Sequence, residues 1–173
     1  MEFLEAEIAW HDWSAVRCGC GQDAGHVAED LLWLAHGGDG GPHLDTDRLD
    51  GHVFTPSVLC EPAVPALRVA LAALADDEVP VPVRRVFSEL VLLLAAGEGQ
   101  TYEAAQDGRD LETECFRAAQ EGIWLLCAVV LSAQGDVATA SNAYEALTLL
   151  DDDEDRLARV RSAGAKNLRP DLR

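Results

Sequence analysis

Apolar residues recur every three to four positions along most of this chain, which is the spacing that places side chains on one face of an α-helix. Between residues 24 and 35, Val27, Leu31 and Leu34 follow that spacing, and a glycine-rich run begins at Gly37. We find no segment that alternates apolar and polar residues as a half-buried strand does. The pattern therefore predicts an all-α fold.

The next two segments predict a pair of helices joined by a short turn. The first begins at Glu61-Pro62, because proline is tolerated in the first turn of a helix. Prolines and acidic residues at 76–82 break the chain before the second helix. The apolar stripes of the two helices consist of Val64, Leu67, Leu71 and Leu74, and of Val83, Val86, Phe87, Leu90, Val91 and Leu94.

The second half of the chain predicts three more helices. A long helix runs from about Asp110 to Gln134, and its apolar second half, 123–133, predicts the centre of the core. A short last helix contains Leu157 and Val160, and the residues from Ala165 onward are expected to fray. The helix between these two is expected to face inward through Val137, Ala140, Tyr144 and Leu147.

Helices separated by short turns imply antiparallel packing of neighbours. We expect one domain over residues 1–164, with about seven or eight helices and a frayed tail at 165–173. Two architectures satisfy the pattern. One is a stack of antiparallel helix pairs, a short HEAT-like α-solenoid, and the other is a closed helix bundle.

Two segments in the first half of the chain resemble bacterial HEAT-repeat-like proteins. Residues 12–17 (DWSAVR), a glycine-rich turn and residues 24–34 resemble the opening of these proteins, and residues 51–67 look like their second helix pair. The resemblance implies a stack of helix pairs that serves as a binding scaffold. Helical-repeat proteins of this size also occur as immunity partners of secreted bacterial toxins. The sequence departs from the pattern at Cys18-Gly19-Cys20-Gly21, where relatives have a His-rich or aromatic turn.

The charge balance is unusual, with 31 acidic against 13 basic residues in 173 and a formal net charge of -18. Such a surface repels nucleic-acid phosphates and anionic membranes, and it attracts basic proteins. The alternative is that the acidic surface serves only solubility. The N-terminal residues lack the features of a signal peptide, and five cysteines in no regular framework are typical of reduced thiols, so we expect a cytoplasmic protein.

Two acidic clusters are the candidate partner-binding residues. If successive helices alternate in direction, both clusters lie along one edge of the stack. The alternative is that aspartates cap helix starts, which explains about half of them without a partner. The clusters are Glu98, Glu103, Asp107 and Asp110, and Asp151, Asp152, Asp153, Glu154 and Asp155.

Cys18, Cys20 and His26 are the only tight cluster of metal-ligand types. A structural zinc site needs four ligands, and this cluster supplies three at an uncommon spacing. His43, His52 or Cys60 completes it only if the fold brings one of them close. The default interpretation is buried thiols in a glycine turn, with no metal or cofactor. Cys60, Cys115 and Cys127 are expected in the core on apolar helix faces.

No catalytic pattern is found, because all five histidines precede residue 53 and neither a nucleophile elbow nor an HExxH helix occurs. The sequence therefore favours a non-catalytic module that binds a basic protein through its acidic edge and the loop from Gly37 to Asp50. Its sharpest version is an immunity protein that neutralises a basic toxin. The alternatives are an enzyme with a helical-repeat fold and a structural or regulatory scaffold.

Overall fold

The computed structural model describes residues 1–38, 44–56, 58–132 and 136–173. Over these ranges the chain forms nine α-helices and one short β-hairpin, which confirms the predicted all-α fold. None of the described helices has the length and apolar character that crossing a membrane requires. The elements are α1 (Glu2–Trp10), α2 (Gly25–Ala35), β1 (Phe54–Thr55), β2 (Val58–Leu59), α3 (Ala63–Ala75), α4 (Val81–Ala95), α5 (Tyr102–Gln106), α6 (Leu111–Glu121), α7 (Ile123–Leu131), α8 (Val137–Leu150) and α9 (Glu154–Gly164).

Helices α3 and α4 form the predicted pair. α3 begins directly after Pro62, and the six apolar residues predicted for α4 are all buried. The guanidinium of Arg84, in the first turn of α4, donates a hydrogen bond of 2.6 Å to the carbonyl oxygen of Leu74 near the end of α3. The two helices are therefore antiparallel. This packing is consistent with stacked helix pairs, and the finer HEAT-like description stays a prediction.

The core is centred on α3, which packs against α1, α2, α4, α6 and α7. Ten of its 13 residues are buried. The prediction that residues 123–133 form the centre is wrong, because α7 buries only one face and exposes Trp124 and Leu131. An apolar run without a polar face does not by itself show how many neighbours a helix has.

The long helix predicted from Asp110 to Gln134 is interrupted at Gly122, which separates α6 from α7. A Cβ atom at Gly122 would lie 2.6 Å from Cδ2 of Leu71, so the absence of a side chain lets the break approach α3 closely. The apolar spacing continues through this position, and the sequence pattern alone therefore did not predict the interruption. The short helix α5 was not predicted either.

Helix α8 packs against α4 and α7, and the amide of Asn142 donates a 3.2 Å hydrogen bond to the hydroxyl oxygen of Ser88 in α4. Ala140, Tyr144 and Leu147 are buried as predicted. The inward orientation predicted for Val137 is wrong, since its side chain, in the first turn, is 46% exposed.

The C-terminal residues are docked on the helices rather than frayed. Leu168 is fully buried in the core. The amide of Asn167 donates hydrogen bonds to the carbonyl oxygens of Val130 (2.9 Å) and Ser132 (3.2 Å) at the end of α7. Arg169 adds two hydrogen bonds to α8, from its amide to the hydroxyl oxygen of Ser141 (3.0 Å) and from its guanidinium to the carboxylate of Glu145 (2.7 Å). The predicted fraying from Ala165 is therefore wrong for this segment.

Candidate metal centre

Four side chains with metal-binding atoms converge near the start of α2. They are Cys18, Cys20, His26 and His52, and their ligand atoms all lie within 4.8 Å of one another. Cys18 Sγ is 3.3 Å from His26 Nε2 and 3.2 Å from His52 Nδ1. His26 Nε2 is 3.0 Å from His52 Nδ1 and 3.9 Å from Cys20 Sγ. The fold thus brings His52 to the three ligands that are close in sequence.

Four of the six separations between these ligand atoms are close to the edges of a zinc tetrahedron. With Zn–S bonds of about 2.3 Å and Zn–N bonds of about 2.0–2.1 Å, a sulfur and a nitrogen ligand are about 3.5 Å apart and two nitrogens about 3.3 Å apart. Three of the sulfur–nitrogen distances and the nitrogen–nitrogen distance each lie within about 0.4 Å of these values, and the remaining two separations are at most 4.8 Å. Two thiols and two imidazoles are also a donor set that suits zinc rather than magnesium or calcium.

A tight turn presents the two thiols. The amide of Cys18 donates to the carbonyl oxygen of Gln22 at 2.8 Å, and the amide of Gly21 donates to the carbonyl oxygen of Cys18 at 2.9 Å. Gly21 has a φ of +85°, in the left-handed region that glycine adopts without steric cost. The chain therefore reverses within a few residues and places both sulfur atoms beside His26.

Gly19 allows this turn to pack directly on the segment that carries His52. A Cβ atom at Gly19 would lie 2.5 Å from the carbonyl oxygen of Gly51 and 2.7 Å from Cys60 Sγ. The amide of Gly19 also donates a 3.0 Å hydrogen bond to the carbonyl oxygen of His52. Contact between backbones thus positions the fourth ligand.

The two histidines come from elements that are fixed independently. His26 lies in the first turn of α2, where the Asp23 carboxylate accepts a 3.0 Å hydrogen bond from the amide of Gly25. His52 follows a 3₁₀ turn, and its amide donates to the carbonyl oxygen of the fully buried Leu49 at 3.1 Å. Three separate segments of the chain therefore meet at the cluster.

The thiols of Cys18 and Cys60 are poor nucleophiles. Burial, together with the neighbouring thiols of Cys20 and Cys60, raises the pKa of Cys18 to about 11. Burial likewise raises the pKa of Cys60 to about 11. A reactive cysteine needs a lowered pKa, so these groups lack the property that nucleophilic or redox catalysis requires. Thiols of this kind become ligands when a metal displaces their protons.

The other sequence candidates have different surroundings. Cys115 and Cys127 are buried on α6 and α7 as predicted. Cys60 is buried but lies between β2 and α3, so its predicted place on a helix is wrong. It adjoins the cluster without being one of the four grouped ligands. His43, and residues 39–42 of the glycine-rich loop, lie outside the described residues.

The two acidic clusters lie at opposite ends of α6. Asp110 caps the start of α6 and accepts a 3.0 Å hydrogen bond from the amide of Thr113. At the other end, the amide of Gln120 donates to the carbonyl oxygen of Leu150, the residue before Asp151, at 3.2 Å. Eleven helical residues span about 16 Å, so the predicted adjacency of the clusters is wrong. The role of these acids in binding a partner stays a prediction.

Several of the nine acids have local partners. Asp151 is buried against Arg156, and Asp153 caps α9 by accepting a hydrogen bond from the amide of Arg156 at 2.9 Å. Asp107 accepts a 3.1 Å hydrogen bond from Arg17. Together with the cap at Asp110, these contacts account for four of the nine. The remaining five, all exposed, are Glu98, Glu103, Asp152, Glu154 and Asp155.

Four protein ligands would leave a tetrahedral metal ion no open position for water or substrate. This closed coordination is typical of structural zinc sites, whereas catalytic sites keep one position open.

No protein-family model matches the chain, and no match to it was found among curated proteins or solved structures.

Proposed function

We propose that this protein binds one zinc ion through Cys18, Cys20, His26 and His52, and that the ion holds together the loop-rich part of a protein-binding module. The observation that supports this proposal is the convergence of four ligands from three chain segments. Because the protein supplies all four ligands, the role of the ion is structural.

A structural ion fits the composition of this part of the fold. Within residues 11–62, α2 is the one α-helix that the structure describes, and the other described residues form turns, among them two 3₁₀ turns, and the short hairpin. Loops order many residues for each apolar side chain that they bury, so a direct link between them adds stability. Trp13, Leu49, Val53 and Leu59 anchor these loops in the core, and a metal ion would join them at the point where they meet.

Cobalt substitution tests the site directly. We expect the purified protein, freed of metal and titrated with Co²⁺, to bind one equivalent and to show the visible d–d bands of a tetrahedral ion with a thiolate charge-transfer band. The variant His52→Ala should bind Co²⁺ more weakly and show shifted d–d bands, because water replaces one of the four protein ligands.

The matched control is His36→Ala, which removes an exposed histidine at the end of α2, away from the cluster. Its spectrum should equal that of the unmodified protein. Octahedral bands in the unmodified protein, or an unchanged tetrahedral spectrum in His52→Ala, would show that these four residues do not form the site.

The protein-binding part of the proposal is supported by the net charge of -18 and by the largely exposed Trp10. Tryptophan is enriched among the residues that dominate binding energy at interfaces. The five free thiols support a reducing compartment, the cytoplasm. The sharpest version of this proposal remains an immunity protein that neutralises a basic toxin.

The acidic turn at the start of α9 has its own test. We expect the protein, used as bait in a cell lysate, to lose a salt-sensitive basic partner when Asp152, Glu154 and Asp155 are changed to their amides. A control variant changes three other exposed acids, Glu29, Glu89 and Glu112, to glutamine, which alters the net charge equally. Equal loss in both variants would mean that only total charge matters and that this turn is not the contact.

The alternative of an enzyme requires a group suited to acid–base chemistry. A carboxylic acid that donates protons near neutral pH has a raised pKa. Among the described residues, each carboxyl group whose pKa is displaced has a lowered pKa, so none of these five groups supports the alternative. They are Asp12, Asp76, Asp110, Glu114 and Asp151.

A further inference from the structure

An open groove of about 450 Å³ lies between α1, α3 and the start of α7. Phe3 and Trp10 form one side of it, Leu71 lies at its floor, and Leu125 is on the opposite side. The side chains of Phe3 and Trp10 are 55% and 80% exposed. Large apolar side chains grouped around a concave surface, rather than scattered singly, mark interaction sites.

The groove exists because α1 is apolar on two faces. Leu4 and Ile8 are buried against the core. Phe3, Glu7 and Trp10 follow the i, i+4, i+7 spacing, so they lie on one outer face. Packing of α1 requires only the first pair. The outer aromatic residues therefore have no role in the core.

The opposite wall is formed where the helix breaks between α6 and α7. Gly122 lines the groove there, and Leu71 fills the space where its side chain would stand. The break places Glu121 and Leu125 on the same wall. The groove thus has an apolar floor with a carboxylate on each side, Glu7 on α1 and Glu121 on α6.

The charges around the groove are mainly negative. Arg68 is the one cation among the residues lining it, and its guanidinium lies 3.7 Å from the carboxylate of Glu121. Beyond Phe3 and Ala75 the groove continues into a cleft lined by Met1 and by four acidic residues, Glu2, Asp76, Asp77 and Glu78. The N-terminal ammonium of Met1 pairs with Asp76 and Glu78, so Glu2 and Asp77 are the acids of this cleft that it does not neutralise. A second copy of a chain with net charge -18 is repelled from such a surface, and a basic partner is attracted.

We propose that this groove binds an amphipathic helix of a basic partner protein, with apolar side chains on its floor and Lys or Arg side chains against the acidic rim. In this mode of binding, the bound helix places apolar side chains at positions i, i+3, i+4 and i+7 into an apolar groove. This inference rests on the protein-binding part of the proposed function and is independent of the zinc site. It adds the groove as a second contact surface beside the acidic turn at the start of α9.

A labelled synthetic peptide tests the proposal by fluorescence anisotropy. The probe is an amphipathic helix of about five turns with leucine and tryptophan on one face and lysine on the other. We expect the full chain to bind the peptide, and we expect Trp10→Ala to lower the affinity by at least about tenfold. Phe3→Ala should weaken binding in the same direction.

Two controls separate the groove from general attraction between charges. Trp124→Ala removes a tryptophan that is 72% exposed but lies outside the groove, so it should bind the peptide as the unmodified chain does. A scrambled peptide of the same composition keeps the charge and loses the apolar face, and it should bind about tenfold more weakly. Far-ultraviolet circular dichroism establishes that each variant is folded.

Equal affinity for the scrambled peptide, or unchanged binding by both Trp10→Ala and Phe3→Ala, would overturn the proposal. A dimer in sedimentation velocity that Trp10→Ala abolishes would also overturn it, because the occupant would then be a second copy. Lysate capture separates this failure from that of the proposed function. If the Trp10→Ala bait still captures the partners, the protein binds partners through a surface other than the groove. If the unmodified bait captures no partner, both the groove proposal and the protein-binding part of the proposed function fail.

Discussion

Removing zinc with a chelator is expected to lower the midpoint of thermal unfolding by roughly 10 °C. An ion bound by the folded chain and not by the unfolded chain stabilises the fold through mass action. A loss of about 3–5 kcal/mol corresponds to a shift of this size in a chain of this length. Calorimetry of the zinc-loaded protein with and without chelator measures the shift, and added zinc should restore the midpoint.

His52→Ala should unfold near the chelated midpoint and show no further shift with chelator. His36→Ala, which leaves the four ligands in place, should retain the full shift. Hydrogen exchange should place the loss of protection in residues 17–24 and 49–53 rather than in α7, α8 and α9. A midpoint that is the same with and without chelator would contradict a stabilising ion.

Replacing Asp151 with alanine is expected to lower the free energy of unfolding by about 3 kcal/mol. The Asp151 carboxylate is buried and accepts hydrogen bonds from the Nε of Arg156 at 2.5 Å and from the amide of Asp153 at 3.0 Å. Without it, the half-buried guanidinium of Arg156 and that amide lose their acceptor. Denaturant unfolding of the zinc-loaded protein measures the difference.

Asp152→Ala is the matched control, because its carboxylate is exposed and belongs to the same acidic cluster. It should change the free energy of unfolding by no more than about 0.5 kcal/mol.

Hydrogen bonding from Arg156 lowers the pKa of Asp151 below its ordinary 3.8. Its stabilising effect is therefore complete above that ordinary value and is lost as pH falls through the folded pKa. Equal stability of the two variants at neutral pH would contradict the structural role of Asp151.

The fold was predictable where a single helix carries an unbroken apolar stripe. α4 is such a case, since its six stripe residues are all buried. The interruption at Gly122 and the attachment of Leu168 depend on contacts between distant segments, and spacing along the chain does not contain that information. For the same reason, the apolar residues of α7 do not indicate which face of that helix is exposed.

The metal site was predictable only in part. Cys18, Cys20 and His26 are close in sequence and were recognised as ligand types, whereas His52 was one of three possible fourth ligands. The choice depends on the contact between Gly19 and Gly51, in which the backbones meet because Gly19 has no side chain, while Gly51 provides a left-handed φ of +76°. A glycine beside each ligand segment is the signal that could have favoured His52 over Cys60.

The predicted edge of acidic residues was wrong because it relied on counting helices. Whether two turns share an edge depends on whether the number of helices between them is odd or even. Between Asp110 and Asp151 the apolar pattern predicts two helices, whereas the structure has three, α6, α7 and α8, because the break at Gly122 divides the predicted long helix. A single unrecognised helix moves a turn to the other end of the fold.

Cys18 precedes α2 in the sequence and His52 follows it. An ion bound by both residues therefore closes a loop of chain that contains this helix. With the loop closed, α2 cannot detach without breaking metal bonds, and we expect residues 11–62 to unfold together with the rest. With the loop open, this part is free to melt first. Zinc would then decide whether the chain behaves as one cooperative folding unit or as two.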